Sequence, residues 1–179
     1  HLEGGISRYT VDEKWVVPHF EKMLYDNIQY VNLLNNYLIN KRSDYLKNKL
    51  KQTIKFINSE FLEKNNLLGS AFDADSDGVE GKYYVWKYQE LKNVLGDELD
   101  VFKKKYHITE QGNFEGSNIL VENLDTEINN ESKFKELEKK LLHVRKKRNK
   151  PFFDNKSQTD LNSFWIYVNL YSSIILNDK

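Results

Sequence analysis

Apolar residues recur at helical spacing along most of the chain. From Pro18 to about Asn40 they fall at Phe20, Leu24, Ile28, Val31, Leu34 and Leu38, with Met23, Tyr30, Leu33 and Tyr37 widening the stripe. Pro18 suits a first helical residue, where its missing N–H costs nothing, so a helix is predicted from there, apolar enough to be buried on more than one side. Ser43 is placed to cap a second helix whose inner face is Leu46, Leu50, Ile54, Ile57 and Phe61. Two short helices are predicted through "YQELKNVL" and "ELDVFKKKY". A charged helix follows over about Glu131 to Arg148, with Phe134, Leu137, Leu141 and Val144 inward. A last helix begins near Gln158 and carries Leu161, Phe164, Trp165, Val168 and Tyr171. "KYYVW" alternates and is aromatic or β-branched, so Tyr83–Trp86 reads as a strand, with "ILV" further on as its partner. "TEQGNFEGSN" reads as a loop. The pattern predicts a mainly α fold of successive antiparallel helix pairs with one small β-hairpin.

Composition narrows the function classes. The 179 residues have zero formal net charge and no cysteine, which excludes disulfides and thiolate metal sites within them. No global field selects nucleic acid or an anionic membrane, and no apolar run approaches the ~20 residues of a membrane span. With no signal peptide in the sequence, a cytoplasmic location is expected. Residues 131–150 hold nine Lys/Arg against three Asp/Glu, a local +6 balanced by −6 elsewhere. The apolar residues of that run keep to one helical stripe, so a solvated outer helix is the expectation rather than a nucleic-acid surface.

"DADSDGVEG", Asp73 to Gly81, opens like an EF-hand loop, with Asp73, Asp75 and Asp77 alternating before Gly78. Position 12 is Tyr84, which supplies no carboxylate, and a strand rather than a helix is predicted after it. No metal and no cofactor are expected, and Asp77–Gly78 reads as a solvated turn.

"PHFEKMLYDNIQ" places His19, Lys22, Asp26 and Gln29 at spacings 3, 4 and 3, one face of the predicted helix. Such a row must find partners, since an unpaired buried charge is costly. It is either a structural network, with Lys22 pairing Asp26, or the mouth of a site. Glu13 and Trp15 just before it favour a mouth for a polyhydroxylated ligand, with indoles covering the C–H face and carboxylates taking hydroxyls.

Four segments together carry a family pattern: "GGISRYTVDEKWVVPHFEKMLYDN", "SAFDADSDGVEGKYYVW", "GNFEGSNIL" and "DNKSQTDLN". Over about Gly4 to Ile166 the chain resembles the helical part of the YyaL-like, spermatogenesis-associated thioredoxin-domain-containing family. The resemblance implies an (α/α)6 toroid, similar to N-acylglucosamine 2-epimerases and six-hairpin glycosidases. Residues 1–179 would be a partial toroid, without the thioredoxin-like domain and the later hairpins. It implies a carbohydrate-binding or carbohydrate-processing cleft in which His19, Asp73 and Asp75 handle protons. Arg8, Glu13, Trp15, Lys22, Tyr25, Asp26, Glu80, Trp86, Asn118, Asp154, Lys156 and Asn162 would hold the ligand. The pattern departs from the family at Ser7, which precedes Arg8 where a histidine is usual, and at Asn155, Leu161 and Ser163, which replace an aspartate, a tryptophan and a glycine.

Two functions are therefore carried forward. One is a sugar-processing site whose expected partner is a sugar or sugar derivative, with neither nucleic acid nor membrane. The other is a non-catalytic scaffold or protein-interaction module working with a thioredoxin-like domain. As part of a ring, the chain is expected to expose apolar faces around Trp165, Val168 and Tyr171, and to self-associate through them.

Overall fold

The computed structural model describes residues 2–124 and 131–177. Its elements, in chain order, are β1 (Lys22–Met23), α1 (Leu24–Leu38), α2 (Asp44–Phe56) continuing into a π-helical turn (Ile57–Phe61), β2 (Ala71–Phe72), β3 (Asp75–Ser76), β4 (Val79–Glu80), α3 (Tyr88–Leu95), α4 (Leu99–Lys105), β5 (Tyr106–His107), β6 (Val121–Glu122), α5 (Glu131–Arg145), β7 (Phe153–Asp154) and α6 (Thr159–Leu176). The fold is mainly α with small antiparallel β pairs, as the periodicity predicts.

Two apolar clusters form the interior. Leu24, Ile28, Val31 and Leu34 of α1 pack with Leu50, Phe56, Ile57 and Phe61, and with Trp165 and Val168 of α6. The second cluster joins Trp86, Leu91, Leu95, Leu99 and Phe102 to Phe134, Leu137 and Leu141 of α5. Phe20 stacks on Tyr84 and meets Phe114 between them, with ring centroids 5.9 and 5.7 Å apart. Ser43 caps α2 by accepting from the Leu46 amide. Inside the α1–α6 contact, the Asn35 amide donates to the Val168 carbonyl and the Ser172 hydroxyl, so the one buried amide of that seam is hydrogen-bonded.

Three sequence expectations change. The first helix starts at Leu24, not Pro18: Pro18 bridges Thr10 in a hairpin, and Lys22–Met23 pair with Phe72–Ala71. Phe20, Lys22 and Leu24 are each 1% exposed, the period of two that a strand imposes. Phe20 and Leu24 sit four apart, a spacing that helix and strand share. The position that distinguishes the two periods is occupied by a lysine.

Tyr83–Trp86 is likewise not a strand. Tyr84 and Val85 donate back to the Gly81 carbonyl, forming a tight turn, and only Trp86 bridges Asn118. The hairpin lies one step earlier, β3 against β4, closed by Asp77 at φ 52° and Gly78 at φ 73°, the positive φ pair of a two-residue turn. Lastly, Trp165 and Val168 are buried against α1, and Tyr171 is half-buried. Ile166, Tyr167, Leu170 and Ile174 are the exposed apolar residues of α6.

The central sheet has the order β1-β2-β7, pairing Lys22 with Phe72 and Phe72 with Phe153. On its inner side the Lys22 ammonium is fully buried. It donates to the Gly4 carbonyl at 3.0 Å and lies 4.3 Å from the Phe56 ring centroid and 5.3 Å from that of Tyr84. Burial, reinforced by the Arg145 charge and opposed by Glu3 and Glu60, lowers its pKa to about 7.

A lysine whose pKa falls on folding destabilises the fold most where it stays charged in both states, below about pH 7. Between there and its ordinary value the unfolded chain holds a proton that the folded chain has shed, so stability rises with pH. Lys22→Met is therefore expected to stabilise the chain, more at pH 6 than at pH 9.5, in urea unfolding followed by circular dichroism. An equal or larger gain at pH 9.5 would show that the lysine is not the source of the slope.

Candidate functional site

The N-terminal segment forms the rim of the site by folding as a hairpin before β1. The Val11 amide donates to the Val17 carbonyl, His19 to Tyr9, and Arg8 to Glu21. Asp12 organises the tip: its carboxylate accepts from the amides of Lys14, Val16 and Val17 and from the Thr10 hydroxyl. Those bonds, led by that from Val17, hold its carboxyl below the usual range. Trp15, at φ 58° and 84% exposed, stands at the tip with the exposed Glu13. Neither lies at a helix mouth.

His19 projects from this hairpin between two carboxylates. Its Nδ1 is 2.9 Å from Glu80 Oε1, and its Nε2 is 3.8 Å from Glu21 Oε2. The Tyr9 ring stacks on the imidazole, 4.6 Å between centroids and 13° from parallel. A carboxylate accepts only, so Nδ1 carries the proton shared with Glu80. Arg8 closes the group by donating to Glu21 at 3.0 Å. Glu80 reaches His19 because the β3–β4 hairpin folds back over Phe20. The following Gly81, at φ 72°, has no room for a side chain, since a Cβ there would lie 2.4 Å from the Phe20 ring.

Asp26, in the first turn of α1, faces the same charges. Its Oδ2 is buried and has no hydrogen-bond partner among the described residues. Burial raises its pKa, opposed by Arg8 and assisted by Glu21. Tyr25 interacts electrostatically with Arg8. Lys22 stands apart from this group, pointing into the interior instead of pairing Asp26.

The other residues named from the sequence lie in different settings. Asp73 accepts from the Ala74 amide at 2.7 Å and shapes the turn into β3, while the exposed Asp75 pairs across the hairpin with Glu80. Trp86 is fully buried beneath the Arg148 guanidinium, 4.1 Å from its ring centroid. Asn118 exchanges two hydrogen bonds with the Thr109 backbone, and Asn162 does the same with Leu68. Asp154 accepts from the Lys156 amide, and Lys156 is exposed. Asn155 and Ser163 are exposed, and Leu161 packs at the margin of the first core.

Beside the rim lies a cavity of about 580 Å³ whose wall includes Arg8, Tyr9, Trp15, Phe20, Tyr84 and Trp86. Its size and aromatic lining suit a small ligand. Tyr9 and Glu21 are members of the site that the sequence reading missed. The alternation of "SRYTV" against "VVPHFEK" was the available signal, since it pairs Tyr9 with His19 across a hairpin.

Glu13, Trp15 and Arg8 thus share the rim with His19, Glu21, Glu80 and Asp26. Asp73 and Asp75 support it through the hairpin that carries Glu80. Among the described residues, no group of three or more His, Asp or Glu side chains is arranged to hold a metal ion. No described helix is long and apolar enough to cross a membrane.

No family model matches the chain. It is similar to spermatogenesis-associated protein 20 of Homo sapiens and of Mus musculus, each 27% identical over 192 aligned residues that cover 87% of this chain and 24% of the relative. It is also similar to an uncharacterised protein of Caenorhabditis elegans, 30% identical over 129 residues, covering 63% of this chain and 18% of that protein. The chain thus spans about a quarter of the length of the mammalian relatives it matches. These similarities support the spermatogenesis-associated protein 20 family as its relatives.

A group whose pKa rises on folding loses stability as pH climbs from its ordinary value through the folded one, because the folded state must then ionise a buried carboxyl. For Asp26 that window opens at 3.8 and extends upward. Asp26→Asn is expected to stabilise the chain at pH 7 and to change little at pH 3, as read by thermal unfolding at the two values. A loss of stability at pH 7 would mean that the ionised carboxylate is held by a favourable contact.

Proposed function

We propose that this chain forms one wall of a polar cleft, within an α/α toroid, that holds a polyhydroxylated ligand of the sugar class. The observation that carries the reading is His19 clasped between Glu80 and Glu21 under Tyr9, beside the unpartnered buried oxygen of Asp26. Paired carboxylates accept from vicinal hydroxyls, and an exposed indole such as Trp15 covers a C–H face. In this reading His19, hydrogen-bonded to Glu80, is the group that handles protons, and Asp73 and Asp75 act by shaping the hairpin. The α1–α2 pair, with α6 packed on α1, supports the toroid part of the reading.

A second reading, a non-catalytic scaffold, is favoured by a different observation. Asp73, Asn118, Asp154 and Asn162 all bond nearby or crossing backbone, so much of the motif serves the fold.

Saturation-transfer NMR of the chain against free monosaccharides and N-acylated amino sugars separates the two. The proposed cleft should give signals from at least one sugar that fall at least fivefold in Trp15→Ala and His19→Ala, with the helical circular dichroism unchanged. Absence of signal from every sugar at ~10 mM, weaker than the millimolar scale of a minimal binding site, would favour the scaffold.

A further inference from the structure

The basic run at the end of α5 borders a second cavity, of about 490 Å³, on the other side of the Tyr83–Trp86 turn. We propose that it is an anion site that takes the phosphoryl group of a small phosphomonoester. The inference does not depend on the sugar cleft.

Charge is the first argument. The lining contains Lys82, Lys87, Lys147 and Arg148 against Asp77 and Glu90. Lys82 is neutralised by Asp77 at 2.9 Å and Arg148 by Glu90 at 2.7 Å. Among the described residues, Lys87 donates only to an uncharged group, the Gly116 carbonyl, at 3.0 Å. The Lys147 ammonium makes no ion pair or hydrogen bond among the described residues. Two positive charges remain uncompensated, which matches the roughly −1.5 to −2 that a phosphomonoester carries at neutral pH.

The second argument is donor geometry. The Arg148 guanidinium is held by the carbonyls of Lys82, Tyr83 and Val85 as well as by Glu90, and it stacks on Trp86. It is therefore a fixed part of the wall rather than a mobile surface charge. Ser117 lines the cavity, is 7% exposed, and its hydroxyl makes no hydrogen bond among the described residues. Tyr83 packs behind the wall, with its hydroxyl buried. α3 begins beside this cavity, just after Lys87, with no side-chain cap. A set of ammonium and hydroxyl donors around a concave space of this size fits a compact tetrahedral oxyanion. A nucleic-acid strand needs an extended track of charge with stacking aromatics, and here Trp86 is buried and covered.

The test is isothermal titration of the chain with inorganic phosphate, and in a separate arm with a phosphorylated monosaccharide, at fixed ionic strength. Wild type is expected to bind both. Lys147→Glu should weaken phosphate binding at least tenfold and Ser117→Ala several-fold. Lys139→Glu, the same charge change on the exposed face of α5, should leave it within twofold. All three variants are first checked for native circular dichroism, and Lys147→Gln serves if Lys147→Glu is unfolded. Equal losses in Lys147→Glu and Lys139→Glu would overturn the site in favour of diffuse attraction. So would the absence of phosphate binding at 10 mM, or binding of a single-stranded oligonucleotide tighter than of the phosphorylated sugar.

Discussion

Six residues, in three two-residue strands joined by two antiparallel pairings, hold this fold in register. β1, β2 and β7 are each two residues long, yet they tie together positions near 22, 72 and 154. The ladder is extended by single hydrogen bonds, Leu24 to Ser70, Ser70 to Asp154 and Asp73 to Phe152. Every element of the candidate site is referenced to this small sheet. It fixes where α1 begins, where the β3–β4 hairpin leaves, and how the start of α6 approaches. A two-residue strand has little stability alone. Here Phe72 and Phe153 stack at 4.5 Å and Phe61 meets both rings, so the pairing rests on an aromatic layer rather than on the ladder itself.

Loop positions depend on a second device, the buried or half-buried asparagine amide. Asn27 bonds Ile6 in both directions, Asn118 bonds Thr109, and Asn162 bonds Leu68. A primary amide presents one acceptor and two donors, so it mimics one residue of a β-ladder where the chain cannot supply a strand. Asn27 and Asn162 each fix a loop against a helix distant in sequence, and Asn118 closes a loop on a residue nine positions before it, with no polar atom of the three amides left unsatisfied among the described residues. Lys22 is the opposite case. Its ammonium is enclosed with a single carbonyl and aromatic faces, a costly arrangement that holds the Gly4 carbonyl, and with it the N-terminal segment, over the sheet.

The site divides the motif residues into two groups by what their side chains touch. His19, Glu21, Glu80, Arg8 and Tyr9 touch one another at a rim open to solvent. Asp73, Asn118, Asp154 and Asn162 touch backbone. Both groups recur within the same motifs, because a hairpin that must carry one side chain to a precise place needs others to set its turn. Glu80 is the example: it reaches His19 only because Asp73 bends the chain into β3, Asp77 and Gly78 reverse it, and Gly81 lets Phe20 pass.

The sequence by itself determined α2, α5 and α6, since apolar spacing of three and four over ten or more residues has one regular solution, and it placed the shorter α3 and α4. It also determined the Ser43 cap and the Asp77–Gly78 turn, which rest on local chemistry. Tertiary structure decided the rest. Phe20 and Leu24 satisfy both helical and strand periods, and only the pairing of Lys22 with Phe72 selects the strand. Trp165 and Val168 lie in a run, Phe164 to Val168, that is apolar on every side of the helix, so periodicity cannot choose the inner face until α1 packs against it. His19 meets Glu80 across 61 residues. A contact at that separation is set by the hairpin and sheet that carry its two ends, and no local pattern encodes it.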